Sequence, residues 1–156
     1  MMIKQYFSLL ILMLTLSCSP SSQKNEIQNF EVVITEMNTW LNLMPGSPGK
    51  FFLQGEMIIK NLTDETIEDI SIDNLKVYSK EKLLFNFIPI LELKNQDGQK
   101  ILQPRSSVDY RFRTDGGIRL GNIEIPDDKV DVIFSVTCDS GKYIVDLKNV
   151  NVERTY

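Results

Sequence analysis

The chain has no histidine, and that absence removes more chemistry than any other feature of its 156 residues. Ser-His-Asp and Cys-His nucleophilic sites and histidine-rich zinc sites all need an imidazole, so they are excluded. Cysteine is almost as scarce. Cys18 and Cys138 are the two, and if one is taken by another role no intrachain disulfide can staple the domain. Tryptophan occurs once, as Trp40. No apolar run is long enough to cross a bilayer: a spanning helix needs about 20 such residues, and the longest stretch, from Tyr6 to Leu16, is interrupted by Ser8 and Thr15. Basic residues number 17 against 21 acidic, a net of −4. A mildly acidic chain carries no electrostatic footprint for nucleic acid and no polybasic patch for anionic lipid.

What is present begins with the first eighteen residues. Lys4 supplies a positive start, Tyr6 to Leu16 an apolar run, and Ser17 a small residue before Cys18. This is the layout of a secretory signal peptide ending in a lipidation-type cysteine. The stretch Leu14-Thr15-Leu16-Ser17-Cys18 resembles the lipobox of bacterial lipoproteins. It departs from the usual pattern in carrying Thr15 three residues before the cysteine, with leucines at 14 and 16 instead. The resemblance implies cleavage before Cys18, lipidation of Cys18 and membrane attachment through that lipid. Ser19, in place of the Asp that retains such proteins in the inner membrane of enteric bacteria, implies the outer membrane.

Loss of residues 1–17 takes one charged residue, Lys4, and leaves 139 residues with 16 basic against 21 acidic, a net of −5. That is one ordinary domain plus a tether. Residues 18–28 form the lipidated cysteine and a Ser/Lys/Asn/Gln-rich tether; if extended, its ten residues after Cys18 reach about 33 Å. Residues 29–156 form the folded domain.

Within that domain, period-2 alternation predicts a strand from Phe30 that frays near Asn38, and a long central strand over Lys50–Asn61 in which Gly55 marks a bulge or a close backbone contact. Ile67–Ser79 alternates with a phase slip at Asp73-Asn74. Leu83–Leu93 is extended, with Pro89 confined to an edge or bulge because it has no N–H for a ladder. Val108–Arg113 alternates cleanly, Ile118–Ile125 reads as a crossing connection, and Val130–Cys138 and Tyr143–Val152 form a hairpin, after which the pattern runs out from Asn149. Leu102-Gln103-Pro104-Arg105-Ser106 resembles the corner that precedes a strand in immunoglobulin-like and fibronectin-like bacterial domains. Short strands, turn chemistry between them and no helical period in the mature chain predict an all-β fold: an immunoglobulin-like antiparallel β-sandwich of about seven to nine strands, preceded by the signal-peptide helix.

The candidate binding residues are Trp40, Leu43 and Met44, set beside the Pro/Gly-rich stretch 45–49 in what reads as a loop or an irregular strand end. They either lid one end of the core or form an exposed contact patch. Met37 and Met44 suggest a copper(I) thioether site only weakly, since such sites combine several soft ligands with histidine. Cys138 closes an alternating apolar run and reads as a buried small hydrophobe. Asp64, Glu65, Glu68, Asp69 and Asp73 lack calcium-loop spacing and read as a solvated face. Asp115-Gly116-Gly117 is a turn, because no Lys-Ser/Thr pair follows to make a phosphate loop. Asn61-Leu62-Thr63 is a formal glycosylation sequon without an expected role. No metal, cofactor or catalytic residue is expected. The functional expectation is a non-enzymatic binding or assembly module with an envelope protein as partner; the alternatives are a structural spacer and a hydrolase working through paired carboxylates.

Overall fold

The computed structural model describes residues 29–46, 48–94, 101–123, 125 and 128–156. The stretches expected to form a signal peptide and a tether, with Cys18 between them, lie outside those residues. The described chain is all-β, with ten strands: β1 (Phe30–Asn42), β2 (Lys50–Asn61), β3 (Ser71–Ile72), β4 (Leu75–Ser79), β5 (Lys82–Phe87), β6 (Ile90–Leu93), β7 (Ser107–Arg113), β8 (Ile118–Arg119), β9 (Lys129–Cys138) and β10 (Gly141–Thr155). No described helix is long and apolar enough to cross a membrane.

Hydrogen bonding links the strands in the order β5-β4-β9-β10-β1-β2-β7-β6, with β3 on β9 and β8 on β2. The ladders are antiparallel except one. β1 runs parallel to β10 over Thr39–Asn42 and Val152–Thr155, so the wholly antiparallel expectation fails at the seam between the two halves of the sheet. The sheet curls until its halves face one another. Phe51 of β2 stacks on Phe85 of β5 at 4.8 Å between ring centroids, and Phe112 of β7 meets Phe134 of β9 at 5.1 Å.

Period-2 patterning explains the core. β2 and β9 bury every second side chain, so Phe51, Leu53, Met57 and Ile59 meet Val130, Val132, Phe134 and Val136 in the interior. A phenylalanine buried as fully as Phe134 resists truncation to alanine by about 3–5 kcal/mol. Gly55 sits in register with Phe112, and a Cβ there would fall 2.3 Å from that ring. It marks a close contact rather than a bulge.

Several boundaries differ from expectation for physical reasons. The slip at Asp73-Asn74 is a bulge: between Ile72↔Val136 and Lys76↔Ile133, four steps on one strand answer three on the other, and the Asp73 N–H still bonds to the Ser135 carbonyl at 3.0 Å. The extended run through Pro89 is two strands, β5 and β6, at opposite ends of the hydrogen-bonded order. Proline 89 sits where the chain crosses between them. β10 continues to Thr155; alternation fails near Asn149 because Leu147↔Val132 and Val150↔Val130 enclose a bulge, with Asn149 at φ 57°. The 139–142 loop is tighter than expected, since Gly141 already pairs with Cys138.

Candidate functional site

Where β1 and β10 part, the sheet opens into a groove of about 570 Å³. The two strands are paired only from Thr39 and Val152 onward, and each carries a bulge just before that point. On β1 the register shifts between Ile34 and Glu36; on β10 it shifts between Leu147 and Val150. Bulges bend a strand and increase its twist, and these two lie on facing walls of the opening. The Asn149 N–H donates to the Asp131 carboxylate at 3.0 Å, which holds the β10 bulge. At the closed end, the Thr39 hydroxyl donates to the Asn151 carbonyl at 2.7 Å.

Ile34, Met37, Leu147 and Val150 are half-buried and packed against the core, and all four line the groove. Asn38, Asn149 and Asn151 add amide groups to the lining, and Lys148 spans Asp146 at 3.0 Å and Asp131 at 3.4 Å. The carboxylate partners hold the Lys148 ammonium above its ordinary range, chiefly through the hydrogen bond it donates to Asp146. Such walls offer apolar contact together with amide hydrogen bonding. The volume lies within the range of about 300–1,000 Å³ typical of ligand sites.

Trp40 closes one end of this groove. It belongs to β1, not to a loop, and pairs in register with Phe52, on which it stacks at 5.1 Å with the rings 4° from parallel. Phe52 is covered in turn by the 115–117 turn: Gly117 has φ 79°, and a Cβ there would meet the Phe52 ring at 2.6 Å. Only glycine fits that approach. The three predicted binding residues therefore separate. Trp40 lies in the groove wall on the outer side of the sheet. Leu43 is half-buried against the core, near Leu120 across Gly49. Met44 stands 54% exposed on the tip beyond.

The remaining candidates resolve into local structure. Met37 lines the groove while Met44 does not. No cluster of metal-binding side chains occurs among the described residues. Asp64 is gripped by Arg105 at 2.8 and 3.3 Å, which holds its carboxyl below the usual range, and Asp73 pairs with Lys142. Cys138 is half-buried rather than buried, with its sulfur 3.5 Å from the Ser140 hydroxyl. Glu56, on the outer face of β2, accepts from Lys94 and from Arg111, and these bonds, Lys94's first, lower its pKa. The groove itself is not legible as a site in the sequence. Its one trace is the broken alternation at Lys148-Asn149, the mark of a bulge. Compared with known families and with curated proteins, the chain matches none.

Proposed function

We propose that this protein is a bacterial envelope lipoprotein whose domain is a non-enzymatic binding or assembly module. Cys18 carries the lipid, residues 19–28 tether the domain, and the outer membrane is its location, on the strength of the lipobox resemblance and Ser19. The finer reading of the fold is an immunoglobulin-like sandwich. Its support is the strand order: β1-β2-β7-β6 and β10-β9-β4-β5 correspond to A-B-E-D and G-F-C-C′ of that architecture. The corner at Leu102–Ser106 also precedes β7 directly.

The observation that carries the binding reading is the groove beside Trp40. Its placement supports it further. Phe30, where the tether joins, begins β1, and Trp40 lies ten residues along that strand, about 33 Å away at strand rise. A domain tethered through Asn29 thus holds the groove's closed end and the Met44 tip far from its attachment point. A photo-crosslinking side chain at Met37 of the full lipidated protein tests this in the living cell. The expected result is a discrete adduct, lost on Trp40→Ala in a variant that still unfolds cooperatively with a stability lower by only about 1–2 kcal/mol. Adducts from exposed control positions only, or a Cys18→Ala protein that still fractionates with membranes, would overturn the reading.

A further inference from the structure

Free strand edges in this molecule are not treated alike. β10, free of β1 until Val152, carries Lys142, Asp146 and Lys148 together with its bulge. β6 carries Glu92, bridged to Arg113, and is followed by Lys94, bridged to Glu56. Charges and bulges of this kind are how natural sheets discourage edge-to-edge pairing. β5 is the other terminal strand of the hydrogen-bonded order. It pairs with β4 on one side, and among the described residues no backbone bond reaches its other side. From Leu83 to Leu91 there is no charged residue. Leu83 is 47% exposed, and Ile88, just past the strand, is 73% exposed.

We infer that β5 pairs edge to edge with β5 of a second copy of this chain, antiparallel about a two-fold axis. The charge pattern selects this occupant. A two-fold axis passing between Leu84 and Phe87 sets Lys82 opposite uncharged residues or past the end of the partner strand, never opposite its own copy. Apart from Asn86, apolar side chains then meet apolar side chains along the shared edge. A partner carrying a charged edge would leave its charges facing leucine and phenylalanine. The contact is isologous and therefore closes at two copies rather than growing into a fibre. Its length is limited at both ends. The chain turns away at Ile88-Pro89, and the bulge that leaves Leu84 without a partner between Val77↔Phe85 and Tyr78↔Leu83 twists the start of the strand. So short an edge places the dimer among small, reversible interfaces of less than about 1,200 Å², and anchoring in one membrane would raise the effective concentration that populates it.

The test is sedimentation of the full lipidated chain with detergent micelles in excess and a reductant present, so that neither a shared micelle nor Cys138 links two copies. The expected result is a concentration-dependent dimer whose dissociation constant rises at least about tenfold in the variant Leu83→Lys with Ile88→Lys. Ile88→Lys alone, outside the strand, should weaken it in the same direction. Ile144→Lys, at another exposed apolar position (67%), should leave it unchanged. A monomer at every concentration up to about 200 µM, well into the range of transient contacts, overturns the inference. So does a dimer that both edge variants leave intact while their spectra and thermal midpoints match the parent protein.

Discussion

Strands β1 and β2 run the length of the domain and end in two very different places: a corner around Asn61 and the groove around Trp40. At the corner, Asn61 is only 3% exposed, and its polar atoms are saturated. Its Nδ2 donates to the carbonyls of Glu65 (2.7 Å), Gln103 (3.1 Å) and Leu102 (3.2 Å). Its Oδ1 accepts from the Thr63 N–H (2.9 Å) and the Thr63 hydroxyl (2.8 Å). At the groove β1 parts from β10, each of those two strands carries a bulge, and half-buried apolar side chains line an open space. The corner uses polar groups to fix one backbone path, whereas the groove leaves amides and apolar surface available to something else. The β1–β2 pair thus reaches from a rigid joint to one wall of a surface able to accept a partner.

The sharpest way to break this comparison is Asn61→Ala. The substitution removes five hydrogen bonds, each worth about 0.5–1.5 kcal/mol; the Thr63 N–H loses its side-chain acceptor, while the Glu65, Leu102 and Gln103 carbonyls each keep a second donor. A total loss of about 3 kcal/mol or more is expected, read as a shifted denaturant midpoint with an unchanged slope. A loss under about 1 kcal/mol would mean that the corner is held by the Ile67–Leu102 bridge without Asn61. The same burial means that the formal sequon Asn61-Leu62-Thr63 offers no accessible amide nitrogen in the folded protein.

Trp40→Ala sharpens the comparison from the other end. Trp40 is half-buried and stacked on Phe52, so its removal forfeits part of its apolar burial and an aromatic pair worth about 0.5–1.5 kcal/mol. A stability cost of about 1–2 kcal/mol is expected, clearly below that of Asn61→Ala. As the only tryptophan, Trp40 also reports on its own surroundings by fluorescence. A cost equal to that at Asn61 would make the groove wall part of the structural core and remove the reason to read it as a contact surface.

The two regions were unequally legible from sequence. Lys50–Asn61 is marked as a strand with both ends correct, because apolar side chains fall on both of its faces, as in a central strand, and turn residues bound it. The chemistry of the corner is half visible: Asn-Leu-Thr announces a turn, and Leu102–Ser106 announces the approach to β7. What cannot be read is that they meet, since Asn61 and Leu102 come together only through the pairing of β2 with β7. The groove is harder still. Its walls come from β1 and β10, more than a hundred residues apart, and its existence depends on two bulges, each of which breaks the periodicity by which strands are recognised. Its sequence context sets Trp40 beyond a fraying strand end for a related reason. The Thr35 bulge inverts the alternation of β1, so Thr39 and Leu41 point inward and Trp40 outward.

The smallest expected effect concerns Tyr110, a buried polar group handled in neither of these ways. Its side chain is 2% exposed, between Met57 and Leu93 in register, and its hydroxyl has no hydrogen-bond partner. Where Asn61 satisfies every polar atom, Tyr110 satisfies none at its tip, so deleting the oxygen removes a desolvation cost without breaking a bond. Tyr110→Phe should therefore change stability at neutral pH by no more than about 0.5 kcal/mol, or raise it slightly. Alkaline pH separates the two proteins. Burial pushes the Tyr110 phenol above its ordinary value of 10.0, so the folded state keeps the proton while the unfolded chain releases it. The stability tied to that difference is complete below pH 10 and is lost as pH rises through the folded value. Wild type should lose stability more steeply than Tyr110→Phe above pH 10, with the two curves parallel below it. A Tyr110→Phe protein destabilised at neutral pH by as much as Asn61→Ala would show that the hydroxyl is satisfied after all, and that the interior resembles the corner throughout.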